Sequence, residues 1–277
     1  PVTPGNKLYL LKKIHLYHLL GLYKKGITIG NLQNYNYKLD VDINRLFSKH
    51  LAILAQSGAG KSYLVAVLLE ELLMRKNIDN SPAMILIDVH GEYRFSENKI
   101  KKKLMKNKPN STNFSLKIQI YSGSFLQIGV PLLSEYDIKR YQPNISYPQM
   151  RELRTAIKIC RSKMQKSQTV DENTEYVKGN NTRQENLSKG YDLQDLIYVL
   201  ENEMDVNTNV KDALVGWLND LDQMHIFAKN TSPSLISLAK INQLVIIDLS
   251  SLISSKKKAI LLQFISSQLF YLRRKNN

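Results

Sequence analysis

The chain has 277 residues, of which 43% are hydrophobic, so a sizeable core is available and a chain that is disordered throughout is excluded. The formal net charge of +15 at pH 7 favours a polyanionic partner, nucleic acid first, although a lysine-rich proteome would give the same excess. A single cysteine, Cys160, excludes a disulfide framework and a cysteine-based metal site. The longest apolar runs are far shorter than the roughly twenty residues of a membrane span, which predicts a cytoplasmic protein with no membrane partner.

The N-terminal region, residues 1–47, is predicted to form a helix and a small β segment. Leucine and isoleucine recur on one face between residues 7 and 25, which favours a helix. Residues 27–29 and the alternating stretch at residues 35–39 are expected to pair as a hairpin. Residues 42–48 then lead into the next element of the chain.

A P-loop pattern follows, and the rest of the chain is organised around it. The five apolar residues 51–55 predict a buried parallel strand, and the apolar-rich residues 63–74 predict a helix. The residues between them complete the motif A-x-x-x-x-G-K-S, with Ala55 at the position where glycine is usual. A strand, a glycine-containing loop, Lys-Ser and a helix are the context that a phosphate-binding loop requires.

The residue types of this loop suit the binding of nucleotide phosphates. Gly58 and Gly60 lack a Cβ, so the backbone can turn sharply and aim its N–H groups at phosphate oxygens. Lys61 can reach the β- and γ-phosphates, and the Ser62 hydroxyl can ligate Mg²⁺. The helix that starts here adds the positive end of its dipole. The loop therefore predicts a nucleoside triphosphate with Mg²⁺ as the ligand.

A second buried strand is predicted at residues 83–87, and it ends in the sequence D-V-H-G-E-Y. Because ligands of open α/β sheets bind at the carboxyl ends of parallel strands, Asp88 and Glu92 are expected to face the nucleotide. The alternative is a turn built from aspartate, glycine and glutamate. The lysine-rich residues 97–113 are either a DNA-facing loop or a solvated charge run, and residues 114–121 alternate as a strand.

The middle of the chain, residues 131–240, is predicted to be a mainly helical insertion between strands of the sheet. It contains a polar, asparagine-rich loop at residues 167–190 and four helices, which are expected at residues 135–141, 148–166, 193–204 and 210–224. A third buried strand at residues 243–251 contains Asp248 and precedes an amphipathic helix at residues 253–274.

These elements predict an α/β fold of the P-loop NTPase class, with a parallel sheet flanked by helices and a helical insertion. The ATPase core is expected at residues 48–130 and 241–277, on either side of the insertion. Three basic clusters, at residues 101–103, 256–258 and 273–275, are candidates for contacts with DNA phosphates. Such contacts would not distinguish one DNA sequence from another.

Three sequence elements together resemble a known family: the P-loop run from Lys49 to Ser62, the D-x-H-G-E-Y element at residues 88–93, and the I-D-L-S strand at residues 247–250. They are similar to the archaeal HerA proteins of the HerA/FtsK superfamily, which are P-loop ATPases that translocate DNA, so the resemblance implies a RecA/FtsK-like fold. The resemblance implies a hexameric ring that pumps duplex DNA by hydrolysing ATP with Mg²⁺. It also implies a NurA-like nuclease as a partner in the processing and repair of DNA ends.

The resemblance assigns roles to individual residues. It implies that Lys61, Asp88 and Glu92 take part in catalysis, and that Ser62 and Asp88 hold the metal ion. It implies that nucleotide contacts come from one continuous stretch and a basic residue ahead of it: Lys49, Gln56, Ser57, Gly58, Ala59, Gly60, Lys61, Ser62 and Tyr63.

Departures from the family pattern bear on activity. No second acidic strand-end motif, sensor residue or arginine finger is recognisable in the sequence, and the N-terminal β-barrel of the family is absent or reduced to residues 26–47. The sequence therefore predicts an incomplete ATPase core, whether split, truncated or degenerate, that hydrolyses ATP slowly unless a second chain completes it. The open alternatives are an inactive nucleotide-binding scaffold and, with less support, a small-substrate P-loop kinase or GTPase.

Overall fold

The computed structural model describes residues 4–5, 11–22, 26–33, 36–47, 50–73, 82–93, 117–170, 190–241 and 243–275. Two compact units make up the chain, Pro1–Met74 and Arg75–Asn277. The predicted boundaries at residues 47, 130 and 240 divide the chain more finely than these two units and stay predictions. Among the described residues, no helix has the length and apolar character that crossing a bilayer requires.

The first unit contains a short helix and a β-hairpin ahead of the P-loop. Its elements in chain order are α1 (Lys13–Leu20), β1 (Ile27–Asn31), β2 (Lys38–Val41), α2 (Ile43–Phe47) and α3 (Lys61–Leu73). Helix α1 ends at Gly21, whose φ of 62° lies in the left-handed region that glycine adopts readily. Strands β1 and β2 pair antiparallel, which confirms the predicted hairpin and places its second strand slightly later in the chain. Helix α3 confirms the predicted helix after the P-loop.

The segment that precedes the P-loop differs from the sequence prediction. A buried strand is predicted over residues 51–55, but the structure has no regular secondary structure there, and Leu54 is 90% exposed. A strand is held by hydrogen bonds to a neighbouring strand, and among the described residues of this unit β1 and β2 form a sheet of two strands by themselves. The apolar residues 51–55 match the pattern of a buried strand, but the pattern does not provide a neighbouring strand for hydrogen bonding. The predicted strand is therefore wrong for this structure.

A parallel sheet and a set of helices make up the second unit. Its strands and α-helices in chain order are β3 (Met84–Asp88), β4 (Lys117–Ser122), β5 (Ile128–Gly129), α4 (Glu135–Tyr141), α5 (Tyr147–Val170), α6 (Leu193–Asn202), α7 (Thr208–Asp222), β6 (Phe227–Ala228), α8 (Leu235–Leu238), β7 (Gln243–Asp248) and α9 (Ser255–Lys275). Strands β5 and β6 form a short parallel pair of their own. The remaining three strands form the main sheet.

The main sheet has the order β3-β7-β4, and all three strands are parallel. It confirms the three strands that the sequence predicts for this region, within a few residues at each described end. The central strand β7 is buried from Gln243 to Ile247, as expected for a strand with a neighbour on each side. All three strands end at the same edge, where Asp88 and Ser122 both lie opposite Asp248.

The insertion between β4 and β7 is helical, as predicted. Helix α4 begins with a capping box, in which the Ser134 hydroxyl accepts from the Asp137 N–H and the Asp137 carboxylate accepts from the Ser134 N–H. Asp192 and Asp195 make the same arrangement at the start of α6. The helices of the insertion, α9 and one side of the sheet share a core that includes Leu153, Leu196, Leu200, Leu214, Leu218, Val245, Ile247 and Phe264.

Some predicted features lie outside the described residues. They include the lysine-rich segment at residues 97–113 and the first part of the strand predicted from residue 114. The polar loop predicted at residues 167–190 is described only at its two ends, since α5 continues to Val170 and the next described residue is Gly190. The choice between a DNA-facing loop and a solvated charge run for the lysine-rich segment therefore stays a prediction.

Cys160 lies in the core of the insertion and is fully buried, with its Sγ 3.9 Å from the Asp195 carbonyl oxygen. Burial, followed by the negative charge of Asp195, raises the pKa of the thiol to about 12, so the reactive thiolate is scarce near neutral pH. We expect iodoacetamide to leave the native chain unmodified and to alkylate Cys160 after unfolding in urea. Mass spectrometry of both samples measures this, and modification of the folded chain would contradict it.

Candidate functional site

The P-loop of the first unit turns through two glycines in left-handed conformations. Gly58 has a φ of 77° and Gly60 a φ of 86°, a region that residues with a Cβ rarely adopt. The Ala59 N–H donates to the Gln56 carbonyl oxygen (3.2 Å), which closes the turn. Helix α3 then begins at Lys61, so the loop leads directly into the positive end of a 13-residue helix.

The Lys61 ammonium group lies across the start of the loop. Its Nζ donates to the carbonyl oxygens of Ala55 (3.0 Å) and Gln56 (2.9 Å). Both bonds are exposed to solvent, so their net contribution to stability is small, and phosphate oxygens can replace the carbonyls as acceptors. The two left-handed glycines, the helix terminus and this ammonium together fit the phosphates of a nucleotide.

The other residues predicted to contact a nucleotide differ in accessibility. Residues 56–60 are exposed along the whole turn, and Tyr63 is 76% exposed in the first turn of α3. Ser62 is half-buried and already makes a contact within the protein. Lys49, the predicted basic contact, lies outside the described residues. In the part of the chain that the structure describes, no group of three His, Cys, Asp or Glu side chains is placed to hold a metal ion.

In the second unit, the Asp88 carboxylate organises the D-V-H-G-E-Y turn. Its Oδ1 accepts hydrogen bonds from three successive backbone N–H groups, those of His90 (3.2 Å), Gly91 (2.8 Å) and Glu92 (3.1 Å). Its Oδ2 accepts from the Tyr93 N–H (2.8 Å). Asp88 is only 3% exposed, so these four bonds stabilise a carboxylate that has been removed from water.

This geometry bears on both interpretations of the acidic motif. The Asp88 carboxylate binds the backbone of a turn that contains Gly91, which agrees with the alternative that the motif only builds a turn. Gly91 has a φ of 74°, in the left-handed region that glycine adopts readily. The same turn holds the exposed Glu92 beyond the end of β3, where the functional interpretation needs a carboxylate. The P-loop belongs to the first unit, whereas Asp88 and Glu92 belong to the second, so their action on one nucleotide stays a prediction.

Further polar side chains converge on this edge of the sheet. Asp248 Oδ1 accepts from both the Ser250 N–H (2.9 Å) and the Ser250 hydroxyl (2.6 Å). The Ser122 hydroxyl at the end of β4 lies 3.3 Å from the Ser251 hydroxyl. The sequence places Asp248 in a predicted buried strand, but it does not single out Ser122. The signal available for Ser122 is a serine at the end of an alternating strand, which is too common to be specific.

The comparisons with known proteins are consistent with this architecture. A family model described as "Helicase HerA, central domain" matches residues 27–269. The DNA double-strand break repair helicase HerA of Pyrococcus furiosus is 34% identical over 94 residues, which make up 34% of this chain and 16% of that protein. The protein of the same name from Sulfurisphaera tokodaii is 26% identical over 240 residues, 83% of this chain and 41% of that protein. The chain therefore spans less than half the length of these two relatives.

A solved structure is similar over nearly the whole chain. The structure of VirB4 of Thermoanaerobacter pseudethanolicus matches with a TM-score of 0.54 and 14% sequence identity, and the match covers 91% of this chain and 65% of that one. At this identity the likeness concerns the fold, and it confirms the predicted α/β class with a parallel sheet, flanking helices and a helical insertion. Because the family model matches most of the sequence, the chain belongs to the HerA helicase central-domain family.

Proposed function

We propose that the chain is the ATP-binding subunit of a HerA-like DNA translocase that acts in the processing and repair of DNA ends. The observation that carries the proposal is the P-loop, where two left-handed glycines lead into a helix whose first residue, Lys61, holds its ammonium over the turn. The HerA relatives are named DNA double-strand break repair helicases, which supports the choice of DNA as the substrate. The net charge of +15 supports it independently.

Each site residue has a proposed role toward ATP and Mg²⁺. The backbone N–H groups of residues 56–60 and the Lys61 ammonium bind phosphate oxygens and offset their charge. The Ser62 hydroxyl and the Asp88 carboxylate would hold Mg²⁺, which proteins usually bind through few side chains. The ion would supply positive charge to offset the charge of the transferred phosphoryl group. Glu92 is the solvent-accessible carboxylate of the acidic turn and is proposed to orient the attacking water.

The proposal extends to assembly and partners. A hexameric ring around duplex DNA, with a NurA-like nuclease beside it, is what the family resemblance implies for the complete machine. An arginine finger from a neighbouring subunit typically contributes roughly 10³- to 10⁵-fold to the rate of phosphoryl transfer. We therefore propose that the 277 residues alone turn over ATP slowly and need elements outside these residues for full activity.

Calorimetry and phosphate release test this proposal on the purified chain. We expect ATP to bind in a Mg²⁺-dependent manner and to be hydrolysed well below about 1 s⁻¹, the low end of typical enzyme turnover. Addition of duplex DNA and of a complementing chain is expected to raise the rate. A turnover at or above about 1 s⁻¹ by the chain alone would contradict the need for complementation. Failure to detect Mg²⁺-dependent ATP binding would overturn the translocase proposal as a whole.

A nucleotide-binding scaffold is the second candidate, and one observation favours it. The Asp88 carboxylate already accepts four backbone hydrogen bonds, so it stabilises the turn whether or not it binds a metal ion. A protein without catalytic activity would have the same use for it. A scaffold would bind ATP with Mg²⁺ but would show no increase in turnover with duplex DNA under any complementation. The response of turnover to DNA therefore distinguishes the two candidates.

A further inference from the structure

The first turn of α9 carries three consecutive lysines, Lys256, Lys257 and Lys258, and no acidic residue. Cations are disfavoured at the N-terminal end of a helix, because the helix dipole is positive there. This placement is therefore unfavourable for the helix by itself. Hydrogen-bond acceptors close to the lysine side chains offset this unfavourable interaction, and two such acceptors lie within the second unit.

Lys258 contacts the acidic turn. Its Nζ donates to the carbonyl oxygen of Val89 (3.3 Å), the residue between Asp88 and His90. The neighbouring bond from the Leu249 N–H to the Asp88 carbonyl oxygen (2.8 Å) joins the end of β7 to the same turn. The turn is thus held from inside by the Asp88 carboxylate and from outside by the segment that leads from β7 into α9.

Lys256 links the N-terminal end of α9 to the helical insertion through a hydrogen bond. Its Nζ donates to the side-chain oxygen of Gln142 (2.9 Å), the C-cap residue that directly follows α4 and is only 5% exposed. The Ser254 hydroxyl accepts from the Lys257 N–H (3.3 Å) and caps the helix start. The two outer lysines of the cluster therefore contact two different parts of the second unit, while the backbone between them is fixed by the cap.

We propose that Lys258 is a positioning residue for the acidic turn at residues 88–93, and that Lys256 holds the helix end from which Lys258 reaches. This assigns Lys256 and Lys258 an internal role, whereas contacts of the cluster with DNA phosphates stay a prediction. A positive group donating to the carbonyl of Val89 restrains the backbone that carries Glu92. The consequence for catalysis rests on the proposed function, because it requires Glu92 to act in ATP hydrolysis.

The structural part is tested by hydrogen exchange of the Lys258→Met chain. Methionine keeps the apolar stem and removes the ammonium, so the Val89 carbonyl loses its partner. We expect the backbone amides of His90, Gly91, Glu92 and Tyr93 to exchange about tenfold faster, the effect of losing one charge-assisted bond. Lys258→Arg is expected to restore slow exchange, because its guanidinium also donates.

Lys257→Met is the matched control, since it removes the same charge from the same turn of α9. Among the described residues, the Lys257 ammonium makes no hydrogen bond to the acidic turn, so exchange at residues 90–93 should stay unchanged. Equal exchange in the Lys257→Met and Lys258→Met chains would overturn the proposal. Circular dichroism confirms that each variant is folded before exchange is compared.

The catalytic part is tested by ATP turnover of Lys258→Met under conditions where the unmodified chain is active, with Lys158→Met on the exposed face of α5 as the control. Lys258→Met is expected to lower kcat several-fold with little change in the Kd for ATP, whereas Lys158→Met changes neither. Faster exchange in Lys258→Met with an unaltered kcat would overturn the link to catalysis. If the unmodified chain never hydrolyses ATP, the proposed function fails, while the exchange comparison still decides whether Lys258 positions the turn.

Discussion

Replacement of Lys61 by alanine is expected to lower ATP turnover by about 10²- to 10³-fold, the usual effect of removing one preorganised donor that stabilises charge in the transition state. Lys61 is the cationic side chain at the start of α3, and its Nζ lies 3.0 Å and 2.9 Å from two carbonyl oxygens at the start of the P-loop. Alanine leaves the two glycines and the helix terminus in place, so phosphate contacts from the backbone survive. Mg²⁺-dependent ATP binding should therefore weaken less than turnover.

Phosphate release and calorimetry on the same preparations measure the two effects. Lys158→Ala is a suitable control, because it removes one positive charge from the exposed face of α5 without altering the P-loop. The unfolding midpoint in urea should be nearly the same in both variants, since the Lys61 bonds are exposed and contribute little to stability. Turnover by Lys61→Ala within a factor of three of the unmodified chain would remove the P-loop lysine from the mechanism.

Replacement of Asp88 by alanine is expected to destabilise the second unit by about 3 kcal/mol or more, because it leaves four backbone N–H groups without their acceptor. The carboxylate is 3% exposed, so water cannot simply take its place. Asp88→Asn should cost less, since one amide oxygen still accepts while the other position becomes a donor facing an N–H. Hydrogen exchange should show the loss at residues 90–93 before it appears elsewhere in the sheet.

Urea denaturation of the two variants gives the free energies of unfolding, with Asp220→Ala on the exposed face of α7 as the control for loss of one negative charge. A cost below about 1 kcal/mol for Asp88→Ala would show that the turn does not depend on this carboxylate. The pair also separates two roles of Asp88. If Asp88→Asn keeps the fold and slow exchange but loses Mg²⁺-dependent turnover, the residue acts on the metal ion as well as on the backbone.

Much of the fold follows from local sequence signals. Helix α4 occupies the predicted residues 135–141, because Ser134 and Asp137 form a capping box that marks its start in the sequence. The strands of the main sheet follow from short runs of β-branched and aliphatic residues, which are typical of buried strands. The glycines at positions 58 and 60 are required by their left-handed backbone, and that requirement is visible in the P-loop pattern.

Two of the features that escaped prediction depend on neighbours distant in the sequence. The apolar residues 51–55 have the composition of a strand, but composition does not specify a neighbour to pair with. The bond between Lys258 and Val89 joins residues 169 positions apart, and no local pattern encodes it. A turn stabilised by Asp88 is one of the two predicted alternatives, since aspartate followed by glycine favours turns. The sequence does not predict that its carboxylate accepts hydrogen bonds from four N–H groups.

The strand order β3-β7-β4 also has a consequence for biogenesis. The central strand β7 is synthesised after both of its neighbours. Strand β3 pairs with it from Met84 opposite Leu244, and β4 from Lys117 opposite Gln243, so neither outer strand can form these hydrogen bonds until β7 has been made. Contacts between residues so far apart slow folding, and unpaired strand edges promote aggregation in the meantime. On the ribosome, the helical insertion can collapse while β3 and β4 are still unpaired. Completion of the sheet is therefore a late event, and a nascent chain that stalls before residue 248 is a natural client for chaperones.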